Sequence, residues 1–534
     1  MNMFVVSSKS RYHPYGSDYK STLTAKFYGR SIISKPLSAP TLAIPSRLPR
    51  SAQRFNWSDH SIKFNEGQKN ALDVLCQKLE TGAQFFHMIG GFAGAGKTVV
   101  LREFVERVRR FHHYVDSCFV GAPTANAAQL VDGMTIHSLL KFFPGEAVFK
   151  KLNEVDLGIL YQKLQRMRVL VIDEVSLLTC VMFAQIDQRL REVFGSDLPF
   201  GGISIVLFGD LLQLPAVSTL TEKKVRNGQQ WDAPVSQCIY DAIPSRYSAL
   251  HSAVTPNLKD YLRLFFLFEL DELTENVRNK SKLEGEILEE IRQGVKSERI
   301  EDYLYSKCRM QGSDPSDVYR EVRRLRADDP AGDYMILAGT NEKVDSINDW
   351  ISEHSSRVVV IEPKAECPGG CATYVRYGKK KRTLRLVVGG RIMVTDNHST
   401  DRTLVNGITG RLLEIKEDHL VMKRIDNNKK VYIGRFPYKL NKCAREVWYQ
   451  FPVVMAEAIT VHKSQGMTFD GVVIDSDSIK TCGGQYTALS RARSLTKVRI
   501  TNVRRLNYWT SRDSQLALER MRERTSRRRR PVKN

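Results

Sequence analysis

The chain has 534 residues, 42% of them hydrophobic, enough to bury more than one core. No run of 18 or more apolar residues occurs, which excludes a membrane-spanning helix, and nine scattered cysteines argue against a disulfide framework and for a reducing compartment. A formal net charge of +22, with a pI near 9.5, selects a polyanionic partner, of which nucleic acid is the usual one.

Residues 1–56 are rich in Ser, Pro, Lys and Arg, with Asp18 their only acid, and read as a disordered basic arm. The same composition fits a mitochondrial presequence, although Pro36, Pro40, Pro45 and Pro49 would interrupt a long amphipathic helix. From Ser61 the pattern alternates. A helix is predicted over 65–79, a strand over 85–89 and a helix over 98–111, followed by strands over 117–122, 169–172 and 203–208. Residues 138–168 read as a small insertion, and 216–260 as a surface connection without a core pattern.

A second αβ series is expected from strands over 264–268, 334–337 and 454–460. Between the last two, about 355–450, hairpin-like spacing and Gly378, Gly389, Gly390, Gly407 and Gly410 predict a small inserted β-barrel or sheet. Cys367 and Cys371 lack a second ligand pair, so a turn is favoured over zinc there. Arg522, Arg524 and the run Arg527 to Arg530 close the chain, as a phosphate-binding arm, a nuclear-import signal or both. Strand–helix alternation builds parallel sheets that bind ligands at their carboxyl ends.

The chemistry sits at those ends. Gly91, Phe92, Ala93, Gly94, Ala95, Gly96, Lys97 and Thr98 spell a nucleoside-triphosphate loop behind an apolar strand. Its backbone N–H groups would cradle phosphate, Lys97 would reach the β and γ phosphates, and Thr98 would hold magnesium. The strand 169–172 ends in Asp173 and Glu174, the first suited to magnesium through water and the second to orienting and deprotonating the attacking water. Gln213, in a loop flanked by Gly209 and Pro215, suits a contact to γ-phosphate or its water. Gln68 offers the donor and acceptor that an adenine edge needs.

Taken in order, these segments resemble superfamily-one DNA helicases, most closely the petite-integration-frequency (PIF) family. The resemblance is carried by Gln68, the loop 91–98, Gly121 to Ala128, Thr135 to Ser138, Ile172 to Ser176 and Gly209 to Pro215. It continues through Leu273 to Arg278, Ala338 to Asn341, Val405 to Gly407, Ala458 to Gly466 and Tyr486 to Arg491. Asp187 to Val217, with Arg191 and Phe200 to Gly202, resembles the stretch that sets this family apart from RecD-like relatives.

The resemblance implies an α/β protein of two RecA-like P-loop NTPase domains with parallel sheets. The first would span 57–215, with its insertion at about 138–168. The second would span 261–505, carrying an SH3-like β-rich insertion at about 355–450, and a basic tail would occupy 506–534. ATP and Mg²⁺ are the implied cofactors. Arg278 and Arg491 would come from the second domain as arginine fingers, since a planar, permanently charged fork meets spread phosphate charge. Thr124, His137 and Ser464 fall where relatives touch DNA, and Gln465 would link nucleotide state to DNA grip. Lys379, Lys380, Lys381 and Arg382 would steer DNA.

Ala95 and Asn279 depart from the family's usual residues without removing a group that hydrolysis needs. The expected activity is ATP-dependent unwinding of duplex DNA in replication, recombination or repair, by a monomeric motor that moves 5′-to-3′ on single-stranded and forked DNA. Other replication or recombination proteins are further expected partners. The expected compartment is the nucleus, or alternatively the mitochondrion. The rival readings are a DNA-binding scaffold with weak or partner-dependent ATPase activity, and an RNA helicase. DNA-stimulated phosphate release separates the first rival, and poly-dT against poly-U the second.

Overall fold

In the computed structural model the described residues are 63–142, 149–216, 221–226, 229–234, 238–240, 264–278, 281–365, 375–377, 382–397, 404–441 and 445–529. The arm 1–56, the Cys367–Cys371 turn, Lys379, Lys380, Lys381 and the end from Arg530 lie outside them.

Short runs make the first sheet, buried on both faces in all but the two-residue edge strand Met134–Thr135. They are β1 (Phe86–Gly91), β2 (Cys118–Ala122), β3 (Met134–Thr135), β4 (Val169–Ile172) and β5 (Ser204–Phe208). A separate antiparallel hairpin, β6 (Thr221–Arg226) and β7 (Gln229–Pro234), lies inside the segment read as an unpatterned connection. The chain then returns as β8 (Glu269–Leu273), and the order β3-β2-β4-β5-β1-β8 is parallel throughout.

Two expectations fail here. Leu264 to Phe268 is not a strand, and the strand that follows it joins the first sheet beside β1 rather than opening the second. The run Leu-Phe-Phe-Leu-Phe outshines its neighbour in hydrophobicity because it packs into the core around Phe183 and Phe200. The real strand alternates because it is an edge, with Glu269, Asp271 and Glu272 available to solvent and to cations.

The second parallel sheet begins with β9 (Tyr334–Ala338). An insertion follows, containing β10 (Val358–Ile361), β11 (Arg376–Tyr377), β12 (Leu384–Val387), β13 (Arg391–Val394), β14 (Thr409–Ile415), β15 (His419–Arg424), β16 (Lys430–Gly434), β17 (Phe436–Lys439) and β18 (Trp448–Gln450). Its largest sheet is antiparallel, ordered β16-β15-β14-β13-β19, where β19 is Val453–Met455. The chain re-enters the second sheet as β20 (Ala458–Thr460), then β21 (Gly471–Ile474) and β22 (Val498–Ile500), in the parallel order β20-β9-β21-β22.

The single strand expected over 454–460 is therefore two strands in two sheets, broken around Glu457. That carboxylate is buried against Arg326 (2.7 Å) and Arg411 (3.3 Å), and it accepts the Arg391 backbone N–H at 2.8 Å. The Arg391 guanidinium pairs in turn with Asp333. Burial alone would raise the Glu457 pKa, but the three arginines outweigh it and hold the group at about 2.

The expected basic tail is a helix, Arg512–Arg529, packed back on the first sheet. Leu518 and Met521 enter that sheet's core, and Thr525 Oγ1 accepts the Leu270 N–H of β8 at 2.9 Å. Arg522, Arg528 and Arg529 pair with Glu272, Glu269 and Asp271. In the 138–168 segment, the helix Glu154–Leu164 buries Leu160 and Leu164 and leaves Val155 and Ile159 exposed one turn apart. One buried apolar cluster joins Ile89, Phe104 and Val206 of the first layer to Leu337, Ile459 and Ile474 of the second.

Candidate nucleotide site and nucleic-acid interface

The carboxyl ends of β1, β4 and β5 face the second half of the chain across a cleft of about 310 Å³. Lys97, Thr98, Asp173, Glu174 and Gln213 line it from one side, Arg491, Arg493, Gly466 and Thr468 from the other, and Arg278 completes the lining. The site residues predicted for hydrolysis thus converge.

The loop's shape follows from its glycines. Gly96 has φ +80, and a Cβ there would stand 2.3 Å from Gln68 Nε2, so only glycine fits. It caps the helix Lys97–His112, whose first N–H groups open onto the cleft. Lys97 Nζ donates to the carbonyls of Gly91 (2.7 Å) and Phe92 (3.0 Å) and so lies folded along the loop. Burial lowers its pKa against the pull of Asp210, Glu174 and Asp173. These features fit a phosphate chain, because the cradle has backbone donors, a cation and no room for a side chain at Gly96.

Asp173 is half-buried at the cleft, and desolvation together with the Glu174 charge raises its pKa to about 7. A carboxyl so placed gains from a nearby cation, which is the chemistry expected of a magnesium ligand. Thr98 is exposed at the same cleft, so a hydroxyl and a carboxylate, oxygen donors of the kind magnesium takes, both open onto it. Glu174 has φ +53, a strained backbone for a side chain with a Cβ, at the residue assigned to the water. Its Oε2 accepts from Gln465 Nε2 at 3.1 Å, and the same amide donates to Ser176 Oγ at 3.0 Å.

One of the two arginines is mounted differently from expectation. Arg278 follows β8, and its N–H donates to Gly94 O at 3.2 Å, beside the Val277 N–H at 2.9 Å. Its backbone therefore belongs to the phosphate loop's side. Only its side chain reaches across, donating to Ser490 O at 2.7 Å. Arg491 does come from the second layer. Its Nη2 donates to Gln213 Oε1 at 3.4 Å and its Nε to Thr487 O at 3.0 Å. Burial and the proximity of Arg491 lower the Arg278 pKa to about 10, and burial lowers that of Arg491. Two crowded guanidiniums want an anion between them.

Gln68 is placed otherwise than predicted. It does not line the cleft; its carboxamide accepts the Asn65 N–H and donates to Ala95 O at 3.1 Å, so it braces the loop from behind. Ser464 is fully buried, with its hydroxyl given to Val461 O, and is not presented to a ligand. Gln465 is 4% exposed and faces Glu174 rather than an outer surface. Thr124 is exposed and caps the helix Ala125–Leu130. His137 is half-buried, edge-on to Phe142, and burial lowers its pKa. Arg382 lines a second groove of about 430 Å³, between the insertion and the second sheet, with Lys463, Asn341 and the stacked pair Tyr438–Trp448.

Sequence reasoning missed several of these groups. Lys463 sits inside a segment already singled out, next to the serine chosen in its place, and its charge was the available signal. Asp210 stood inside the Gln213 motif, but its partner Arg292, 82 residues away, had none. Arg292 grips Asp210 through Nε (3.0 and 3.1 Å) and Nη2 (2.9 Å) in the interior. Burial alone would raise the Asp210 pKa; Arg292 outweighs it.

Residues 63–234 match the family model described as PIF1-like helicase. The chain is 25% identical to the ATP-dependent DNA helicase Pif1 of Bdellovibrio bacteriovorus, over 82% of this chain and 87% of that one. The chain is thus similar to PIF1-like helicases, by the family model over residues 63–234 and by the relatives over most of its length. Protein 030L of Invertebrate iridescent virus 6, itself uncharacterised, is also 25% identical, over 83% of this chain and 91% of its own. The crystal structure of Pif1 helicase from Bacteroides in complex with ADP-AlF3 and ssDNA has the same fold, with a TM-score of 0.61 at 24% identity over 87% of this chain and 98% of that chain.

Proposed function

We propose that the chain is an ATP-driven helicase that moves along single-stranded DNA, 5′-to-3′, and opens the duplex ahead of it. The observation that carries this reading is the convergence of Lys97, Asp173, Glu174 and Gln213 with Arg491 of the opposite layer around one cleft. The relatives' name supports DNA as the track, and the net charge of +22 supports a polyanion.

Lys97 swings from the loop carbonyls to the β and γ phosphates. Glu174 orients the attacking water and takes its proton. Arg491 meets charge developing on the γ-phosphate, and Arg278 adds a second cation from the loop's own side. Thr98 and Asp173 would hold magnesium, which would supply charge neutralisation of the phosphates. Gln465 bridges Glu174 to the segment that also carries Lys463, so the state of the cleft can reach a DNA-facing groove. Hydrolysis yields on the order of ten kcal/mol against roughly 1.4 kcal/mol per stacking step, so coupling rather than energy limits the motor.

A monomeric motor is the simplest form of this reading, and further replication or recombination proteins its partners. Nuclear residence is proposed from the terminal arginine run, with the mitochondrion as alternative; fluorescent tagging of the whole chain decides between them. The central test is DNA-stimulated phosphate release, with unwinding of 5′- and 3′-tailed forks. Wild type is expected to be active on the 5′-tailed fork and Lys97→Ala to lose at least about a hundredfold in rate. Equal release by both proteins would sink the assignment of Lys97. Success only on the 3′-tailed fork would reverse the proposed direction.

A further inference from the structure

The hydroxyl of Tyr486 stands where the two layers meet. Its ring is 2% exposed, inside the apolar cluster that runs across the cleft. The oxygen accepts the Ala93 N–H of the phosphate loop at 2.8 Å and donates to Asp210 Oδ2 at 3.2 Å. A phenol has one proton to give, so the two bonds use it without conflict. Burial and the Asp210 charge push its pKa well above the ordinary value, and the proton stays.

From Asp210 the contacts continue around the site. Its Oδ1 accepts the Leu212 N–H at 3.1 Å, in the loop that carries Gln213. Gln213 accepts from Arg491, Arg491 donates to Thr487 O, and Thr487 Oγ1 accepts the Leu214 N–H at 3.2 Å. The circuit thus returns to the residue after Tyr486. Tyr486 does not line the cleft, so any influence on the nucleotide passes through these neighbours.

We propose that Tyr486 is a positioning residue whose hydroxyl holds the phosphate loop and the Gln213 loop in register with Arg491. The inference rests on the hydrolytic reading above. Removing the hydroxyl leaves the Ala93 N–H and Asp210 each one partner short in the interior, while a phenyl ring still fills the packing site. The loss then falls on the closed, reactive arrangement rather than on nucleotide affinity.

The test compares wild type with Tyr486→Phe in DNA-stimulated ATP turnover and in ADP binding. The variant is expected to lose about tenfold in kcat, with the ADP Kd within about twofold of wild type. Wild-type turnover by Tyr486→Phe overturns the inference. A parallel loss of kcat and ADP affinity overturns it too, because that pattern marks general damage to the site. Absence of hydrolysis by wild type overturns the hydrolytic reading itself, and the role of Tyr486 with it.

Discussion

Asp210 and Arg292 form a buried ion pair directly behind the catalytic loop. Removing one partner strands the other charge away from water, which typically costs about 3–5 kcal/mol, whereas replacing both with apolar groups costs far less. Asp210→Ala is therefore expected to lower the urea midpoint strongly, and Asp210→Leu with Arg292→Met to recover most of the loss. A double variant no better than the single would contradict that account. Gly96→Ala poses a steric question instead. A Cβ at φ +80 strains the loop and, at 2.3 Å from Gln68 Nε2, displaces the side chain that braces it, so affinity for a fluorescent ATP analogue should fall at least about tenfold. At this scale the sequence made legible what a local motif contains: Lys97, Asp173, Glu174, Gln213. It hid what depends on a distant partner, such as Arg292, and on which way a side chain turns, as with buried Ser464.

Elements with apolar residues on both faces were readable from the sequence, and β4 falls where its hydrophobicity places it. The edge strand β8 was not, because three of its five residues are acids that answer to a helix about 250 positions later. That helix, Arg512–Arg529, covers the edge with Thr525 and three arginines. Ending the chain at residue 511 should bare both the strand and the Leu518 and Met521 sites, and shift the protein towards self-association in sedimentation. Unchanged monodispersity would count against that covering role.

The joint between insertion and second sheet carries a pH signature. Glu457 has its folded pKa depressed from 4.5 to about 2, so its stabilisation is present above pH 4.5 and is lost as pH falls towards 2. Glu457→Gln should cost on the order of 3 kcal/mol at neutral pH, and the gap to wild type in thermal midpoint should close across that acid window. A gap constant with pH would show that the arginines act on Glu457 only through packing.

For the whole molecule, charge makes a measurable statement. Binding to single-stranded DNA should weaken steeply with salt, and Lys463→Ala should flatten the log–log slope by about 0.7 if that side chain meets a phosphate. An unaltered slope would remove Lys463 from the track. The two parallel layers were foreseeable from alternation and motif order, but the return of the last helix to the first layer was not, since nothing local in a basic run says what it covers.

One further consequence concerns the two guanidiniums. Arg278 rides on backbone bonded to Gly94, whereas Arg491 rides on the other layer. A hinge that parts the layers withdraws one and leaves its companion beside the spent phosphates. On the hydrolytic reading proposed above, product escape would then be staggered: opening would take Arg491 from the phosphates, while Arg278 would stay with Lys97 beside the diphosphate until it departs.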